Sequence, residues 1–517
     1  MPTVRIDANS FIKGIKSDRI GINNSVLAPA GFYARSNGVD LHRVGYEGQP
    51  TTAQVFSAAS VSNAAINSLP RAVAIDITAS TPNVYYLLGG LAGTAPRIVE
   101  IINDAYDSTV QTIAAHAGDN FTTLPSTGFW GEDIILYKVG ANFRVFYSWN
   151  DHDDGDVGIF TPGGGSPDDD FMSTVAAHAD SGTTLNLAVP HRMVEGPDGK
   201  LYITNGRYVA QYDGANGSNG TINKTKYDLG VGWIAQDVRA YGNFLAIAAI
   251  KSGGNYINYS FASQCRVNLW NMTESGLGLV YEIEDSYISA IYVANNRLFA
   301  WTSLKSNTQK LWEFDGQKFV PRWETAVFTT LPYPQQIEVY KNLLCWVTSG
   351  GQILGMDLDT GGVHTPFFLN DGTTDATTAG FLKNTDQSKL FLGGLYSSTY
   401  KTSYLTANST GFATGGKDIR TRIYPLGFKA TIKRFRFFLS QLATSAQVQF
   451  SLFKNFTATG VGGGSDLLNL TLDNTTYGAI TEYELERTIP SVSAFWLNMR
   501  LTGQVSVLAV EIDYDPL

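Results

Sequence analysis

The chain has 517 residues, of which 44% are hydrophobic and 16% charged, and its net charge at pH 7 is −9. This acidic balance, without a run of five or six like charges, excludes nucleic-acid binding over a broad surface, because neutralising phosphates needs a basic stripe. The first residues have no apolar signal core, and no apolar run reaches 18 residues. We therefore expect synthesis in a host cytoplasm and no membrane span.

The residue composition predicts an all-β protein. The chain holds 52 Gly, 26 Tyr and 28 Phe, a usage that favours strands and tight turns over helices. The length by itself would allow three or four domains. We predict three parts: an N-terminal arm, a large repeated unit and a C-terminal module.

Residues 1–70 lie outside any repeat and are predicted to form an extended arm that serves as an assembly segment. Gly, Pro and Asn interrupt the segment so often that no long helix fits. Ordering a segment of this kind costs roughly 1–2 kcal/mol per residue, so we expect contacts in an assembled particle to order it. The apolar anchors that we expect to insert into a neighbouring subunit or connector are Phe32, Tyr33, Leu41 and Tyr46.

A loose repeat occupies residues 71–412. Seven turn residues each precede a short apolar strand, at intervals of 43 to 59 residues, and this period without helical patterning is typical of β-propeller blades. We predict a seven-bladed propeller, with six or eight blades as open alternatives. A strand exchanged between the ends, near residues 60–75 and 405–415, is expected to close it. The seven strands begin at Val84, Phe143, Leu201, Phe244, Leu298, Leu343 and Leu390.

The densest carboxylate cluster is Asp151–Asp156, and Asp168–Asp170 follows it. Calcium requires hard oxygen ligands on a tight loop. However, the twelfth position from Asp151 is Pro162, where an EF-hand loop needs a bidentate Glu. A solvated acidic loop is the favoured interpretation, and an adventitious calcium site stays open as the alternative.

A second carboxylate group, Glu282, Glu284 and Asp285, has the residue types of a hydrolase acid–base pair. Alternation of these carboxylates with apolar residues is equally typical of a strand with one solvated face. The six histidines show no metal-ligand spacing, and the chain has no nucleophile elbow or phosphate-binding loop. We therefore expect no catalytic set, metal or cofactor, so the protein is not predicted to be an enzyme.

Two cysteines, Cys265 and Cys345, are the complete set in this chain. They fall in repeats that are not neighbours, and a disulfide needs Cα atoms within about 7 Å of each other. We predict two free thiols.

After a Ser/Thr/Gly-rich linker, residues 413–517 change to longer strands with clean period-2 alternation, which predicts a β-sandwich of the jelly-roll-like kind. Arg434 and Arg436 share one strand face, while Phe435 and Phe437 share the other. The two arginines are interpreted either as part of a solvated outer face or as an interface with an acidic partner subunit.

The segment Pro29–Tyr46 contains Pro29-Ala30-Gly31, then Ala34 through Asp40, then Gly45-Tyr46. It resembles the opening of propeller-bearing tail structural proteins of tailed bacteriophages, including the tail nozzle proteins of short-tailed phages. The resemblance implies a virion component that forms a ring as a homo-oligomer, most simply a hexamer, and contacts other tail or connector proteins. This chain differs from them in ending with a compact β module.

Two other functions stay open. One is a glycan- or receptor-binding tail module in which exposed aromatics act as sugar platforms on a host surface. The other is a propeller-type hydrolase that uses the carboxylates named above. The candidate sugar platforms are Trp233, Trp301 and Trp323.

Overall fold

The protein is all-β. Within the described ranges, the computed structural model has 37 strands, one α-helix (α1, Asn474–Tyr477) and one short 3-10 helix (Pro334–Gln336). The described residues are 2–7, 35–36, 39–40, 47–48, 53–54, 68–76, 83–89, 97–102, 105–112, 131–140, 142–150, 155–162, 185–186, 189–214, 222–252, 262–273, 278–304, 308–325, 331–348, 352–368, 376–385, 389–396, 399–406, 417–420, 424–454, 468–503 and 505–517.

Five short strands come first in the chain. They are β1 (Thr3–Asp7), β2 (Arg35–Ser36), β3 (Val39–Asp40), β4 (Glu47–Gly48) and β5 (Ala53–Gln54). The strands β3 and β4 pair with each other as a two-stranded sheet.

Seven small antiparallel sheets follow, and the first six are each built from strands consecutive in sequence. Sheet 1 contains β6 (Pro70–Asp76), β7 (Asn83–Leu88), β8 (Arg97–Ile102) and β9 (Ala105–Thr112), and sheet 2 contains β10 (Gly131–Val139), β11 (Asn142–Asn150) and β12 (Gly155–Phe160). Sheet 3 contains β13 (Met193–Glu195), β14 (Leu201–Asn205), β15 (Tyr208–Tyr212) and β16 (Ile222–Asp228), and sheet 4 contains β17 (Trp233–Tyr241), β18 (Phe244–Ser252), β19 (Ala262–Trp270) and β20 (Leu279–Ile283). Sheet 5 contains β21 (Tyr287–Ala294), β22 (Arg297–Ser303), β23 (Gln309–Phe314) and β24 (Phe319–Thr325), and sheet 6 contains β25 (Ile337–Tyr340), β26 (Leu343–Val347), β27 (Gln352–Asp357) and β28 (Val363–Phe368). Sheet 7 contains β29 (Ala376–Thr385), β30 (Lys389–Tyr396) and β31 (Thr399–Thr406), with β5 as its fourth strand.

The seven apolar segments predicted from the repeat are all strands, and each is the second strand of a different small sheet. Tight turns explain why they could be located. Asn295 and Asn296 have φ angles of 47° and 61°, and Lys341 and Asn342 have φ angles of 48° and 64°. Two consecutive residues with positive φ form the turn whose twist matches a two-residue hairpin, so the pairing register follows directly from the turn.

The first strands of the small sheets contact one another in sequence order: β6 lies against β10, β10 against β13, β13 against β17, and so on to β29. The strand β29 in turn lies against β6. The approach is so close that a Cβ atom on Gly380 would lie 1.6 Å from the carbonyl oxygen of Pro70. The first and last sheets are therefore direct neighbours.

The strand that joins the N-terminal region to sheet 7 is β5, in which Ala53 pairs with Tyr404 and Gln54 with Ser403. We expected an exchanged strand near residues 60–75 or 405–415. The observed strand lies just before the first range, because residues 70–76 are already the first strand of sheet 1, and its partners Ser403 and Tyr404 lie just before the second range. Pairing with β5 covers an edge of sheet 7 that would otherwise expose backbone donors and acceptors.

Aromatic side chains fill the spaces between neighbouring small sheets. Trp301 of sheet 5 and Trp346 of sheet 6 are both fully buried, with ring centroids 5.7 Å apart. Trp323 lies 5.8 Å from Trp346 on the same core. A single four-stranded sheet cannot bury both of its faces, so stacking against the next sheet supplies the core.

The remaining strands form one eight-stranded terminal sheet, in the order β1-β37-β33-β36-β32-β2, with β34 on β36 and β35 on β34. Its strands from the C-terminal part of the chain are β32 (Lys417–Arg420), β33 (Tyr424–Leu439), β34 (Gln447–Lys454), β35 (Leu468–Asp473), β36 (Glu482–Thr502) and β37 (Val507–Pro516). The 21-residue β36 changes partner along its length: its first half pairs with β33, and its second half pairs with β32 and β34. The side chains of both halves share one hydrophobic core, in which Phe437 and Phe450 have ring centroids 4.3 Å apart.

Two segments that we assigned to the arm belong to this terminal sheet. The strand β1 pairs with β37 over five residue pairs, and β2 pairs with β32 at the opposite edge. Ile6 is 2% exposed and belongs to the core of the sheet. Residues 3–7 therefore gain backbone pairing with β37 and apolar burial in the core of the terminal sheet, contacts that the prediction of a free arm did not include.

The period-2 alternation predicted for the C-terminal strands is confirmed on the apolar face. Val448, Phe450 and Leu452 are all fully buried. On the opposite face of β36, however, Trp496 is also buried, because its ring stacks on Phe453 with centroids 3.9 Å apart. That face, predicted to be polar and solvated, is covered at this point by an aromatic pair.

Candidate functional site

A ladder of charged side chains crosses three adjacent strands of the terminal sheet. In one rung, Glu511 on the central strand β37 contacts Arg5 on β1 at 2.6 Å and Arg436 on β33 at 2.7 Å. The register places these three residues side by side. Because alternate residues of a strand share a face, the next rung lies two residues away on the same side of the sheet.

In the second rung, Asp513 is the central carboxylate. Arg434 donates to it at 2.6 Å, and the hydroxyl of Thr3 donates to its other oxygen at 2.5 Å. We call the two rungs, Arg5–Glu511–Arg436 and Thr3–Asp513–Arg434, the charge ladder. It joins the N-terminal strand to the last strand of the chain.

Both carboxylates of the charge ladder are buried, whereas the arginines are partly exposed. Burial by itself would raise the pKa of Asp513, but hydrogen bonds from Thr3 and Arg434, with the charges of Arg434 and Arg436, lower it below its usual value. The ionised carboxylate is thus the stable form in the folded sheet.

The structure provides an acidic partner for Arg434 and Arg436 within the same chain, in Glu511 and Asp513. Glu484 is a further partner for Arg434, at 3.5 Å. Between the two arginines, Phe435 is fully buried, which confirms the predicted division of β33 into a polar and an apolar face. The other predicted assembly residues, Phe32, Tyr33, Leu41 and Tyr46, lie outside the described residues.

A second candidate site is a cavity of about 110 Å³ between the first strands of the small sheets. The 3-10 helix at Pro334–Gln336 contributes to its wall. Every one of the seven first strands provides at least one lining residue: Val73, Asp133, Met193, Arg239, Tyr292, Glu338 and Lys383.

The charged groups at this cavity contact one another. Arg239 lies 3.4 Å from Asp237 and donates to the carbonyl of Pro334 at 3.3 Å. Glu338 accepts from the hydroxyl of Tyr292 and lies 3.5 Å from Lys383. The contacts of Glu338 join sheet 6 to sheets 5 and 7, whereas Arg239 and Asp237 lie on the same strand, β17.

Two buried aspartates connect successive sheets through the backbone. Asp133 accepts from its own neighbour Ile134 at 2.9 Å and from Met193 of the next sheet at 2.8 Å. Asp237 accepts in the same way from Val238 at 2.9 Å and from Ile291 of the next sheet at 3.0 Å. Burial raises the pKa of Asp237.

Sequence reasoning missed this pair of aspartates. Both lie at register shifts of a first strand, one between Gly131 and Asp133 and the other between Ala235 and Asp237. A β-bulge re-aims a side chain and breaks strict alternation. The available signal was a polar pair, Glu132-Asp133 or Gln236-Asp237, that interrupts the alternation of a first strand.

The predicted hydrolase carboxylates are not arranged as an acid–base pair. Glu282 and Glu284 are exposed on either side of buried Ile283, as ordinary strand alternation requires. Asp285 is buried and paired with Lys310 at 2.8 Å and with the indole nitrogen of Trp312 at 3.1 Å. It therefore serves a structural network rather than an open cleft.

Two of the three predicted sugar platforms are buried. Trp301 is fully buried and Trp323 is 3% exposed, because both fill the core between sheets 5 and 6. The expectation that these rings are exposed is wrong. Trp233 is half-buried, and the guanidinium of Arg266 lies 3.7 Å from its ring centroid.

The other predicted residues have plain outcomes. Asp151, Asp153 and Asp154 and the run Asp168–Asp170 lie outside the described residues, while Asp156 is buried and accepts from Val157 at 2.6 Å. Across the described ranges, no group of three or more His, Cys, Asp or Glu side chains is placed to hold a metal ion. The prediction of two free thiols is confirmed, since both cysteines are buried and unbridged.

Among the helices in the part of the chain that the structure describes, none is long and apolar enough to cross a membrane. No protein-family model matches this chain, and comparison with curated proteins finds no match.

Proposed function

We propose that this protein is a structural component of a phage virion, a tail nozzle or tail-tip protein that forms an oligomeric ring and has no chemistry of its own. The observation that carries the proposal is the position of the segment that resembles phage tail proteins. Within it, β3 lies against β28 of sheet 6 and against β32 of the terminal sheet, and β4, which follows directly, lies against β36. The segment thus contacts both the small sheets and the terminal sheet.

We further propose that the seven small sheets are the blades of a seven-bladed propeller and that the terminal sheet folds over as a β-sandwich. Support for the propeller comes from the contacts of successive first strands, from β29 against β6, and from a cavity lined by all seven first strands. Support for the sandwich comes from the partner change along β36 and the core shared by its two halves.

A role without catalysis is supported by the pairing of the charged groups. The two carboxylates that line the cavity are paired: Asp133 accepts from backbone amides, and Glu338 contacts a lysine and a tyrosine hydroxyl. A general acid or base would need a group within hydrogen-bond reach of a substrate. The burial of Trp301 and Trp323 reduces the support for the glycan-binding alternative.

The test is the assembly state of the purified full-length chain, measured by light scattering and electron microscopy. We expect closed rings, most simply hexamers, in which each subunit shows a seven-lobed toroid. A chain that is monomeric under all conditions would contradict the assembly role, and a toroid with six or eight lobes would contradict the blade count.

A matched pair of variants makes the test specific. Changing Phe32, Tyr33, Leu41 and Tyr46 together to Ser should abolish the ring and change the melting temperature little, because β3 and β4, which make the contacts within the chain, keep their sequence. The control variant changes two exposed apolar residues outside the arm, Val231 in the turn between β16 and β17 (80% exposed) and Leu279 of β20 (57% exposed), to Ser. If both variants assemble equally, the four anchors have no assembly role.

A further inference from the structure

The N-terminal strand β1 occupies an edge of the terminal sheet and pairs with one strand, β37. The next strand in the chain, β2, lies at the other end of the strand order, beyond β33, β36 and β32. The chain between them, residues 8–34, comprises 27 residues. The two strands thus pair at opposite ends of one sheet, joined by a long connection.

The 27 residues are many more than are needed to connect β1 to β2 within one chain. Five steps between neighbouring strands span roughly 24 Å at about 4.8 Å per step. A chain of this length reaches up to roughly 90 Å when extended. The same connection is therefore long enough to deliver β1 to the corresponding edge of a neighbouring subunit.

At the sheet edge that β1 covers, both carboxylates of β37 have a partner on β33. Glu511 is held by Arg436 on β33, and Asp513 is held by Arg434 on the same strand. Each carboxylate therefore has a cationic partner that does not depend on β1. An incoming strand completes the charge ladder with Arg5 and Thr3 and buries Ile6 in the core.

We propose that β1 is exchanged between subunits, so that Thr3–Asp7 of one copy pairs with β37 of the next copy around a ring. This inference rests on the proposed function as an oligomeric ring. An exchanged strand makes the same contacts as the strand of the same chain, so exchange has a low energetic cost, and a head-to-tail contact generates a ring where the rotation closes. Each copy also covers an exposed sheet edge of its neighbour.

Disulfide trapping tests the exchange. Val4 lies directly opposite Ile512 in the register, at a spacing that a disulfide can bridge. Chains carrying Val4→Cys and differently sized chains carrying Ile512→Cys are co-expressed, assembled and oxidised. Exchange predicts a band at the summed mass of the two chains on a non-reducing gel, and reductant abolishes it. Neither variant alone gives this band, because the two native cysteines are buried.

The double variant Val4→Cys/Ile512→Cys separates the outcomes. Exchange predicts covalent multimers up to the ring size. Rings in which this variant forms a disulfide only within its own chain overturn the exchange and leave the proposed function standing. A chain that is monomeric by light scattering overturns both.

A charge swap provides a second readout if the cysteine variants fold poorly. Arg5→Glu and Glu511→Lys each place like charges in one rung of the charge ladder and should weaken assembly when made alone. Mixing the two variants in equal amounts restores opposite charges only between different chains, in an alternating ring of even size. Recovery of rings on mixing supports the exchange, and equal weakness before and after mixing overturns it.

Discussion

Removing the buried carboxylate of Asp285 should destabilise the small sheets strongly. Its side chain has no solvent exposure and accepts from the ammonium of Lys310 at 2.8 Å, from the indole of Trp312 at 3.1 Å and from the hydroxyl of Thr302. The change Asp285→Ala leaves the ammonium without its carboxylate. The indole keeps one acceptor, the Thr302 oxygen at 2.6 Å.

The expected magnitude follows from the burial of both partners. Removing one member of a buried ion pair costs about 3–5 kcal/mol, because the remaining charge is left uncompensated. The side chain of Lys310 is 11% exposed, so water reaches it to some extent. We therefore expect the free energy of unfolding to fall by about 3 kcal/mol, the lower end of this range. The double variant Asp285→Ala/Lys310→Met should recover part of this loss, since it removes the uncompensated charge.

The assay is urea denaturation of the full chain, combined with hydrogen exchange of peptides from sheet 5 to locate the effect. The control is Asp315→Ala, which removes an exposed turn carboxylate that accepts from the amides of Gln317 and Lys318. Asp315→Ala should lower the free energy of unfolding clearly less than Asp285→Ala does. The reasoning is refuted if the two single variants lose the same stability, or if adding Lys310→Met to Asp285→Ala makes the loss larger.

Three further predictions concern other parts of the fold. Gly380→Ala would place a Cβ atom 1.6 Å from the carbonyl oxygen of Pro70, so it should lower the melting temperature more than Gly242→Ala, where nothing lies within 4 Å and only the φ of 56° disfavours an alanine. The pKa of Asp513 is lowered in the folded state. The stability that its ionised form contributes is therefore fully present above the ordinary pKa near 4, and it is lost as the pH falls through the lowered value. Melting curves at pH 7 and pH 3 should therefore differ less in Asp513→Asn than in the parent chain. A thiol reagent should label neither Cys265 nor Cys345 in the native protein and both in urea, because both thiols are buried. Burial also raises the pKa of the Cys265 thiol, which disfavours the reactive thiolate.

Local sequence signals determined the strands of this protein to a large extent. Positions such as Asn295–Asn296 carry the turn residues that accept positive φ, and a two-residue turn sets the register of its hairpin. The alternation of Val448, Phe450 and Leu452 with polar residues likewise identified the buried face of a strand. Both signals act within a few residues, so they can be read without knowledge of the rest of the chain.

Only the tertiary structure decided which distant segments meet. Thr3 and Asp513 are 510 positions apart and still share a hydrogen bond, and nothing in the local pattern around either residue indicates the other. Trp301 looked like an exposed platform because its sequence context does not show that a neighbouring sheet covers it. Strand pairing and burial depend on long-range packing, whose free energy belongs to the assembled sheets and not to any single segment.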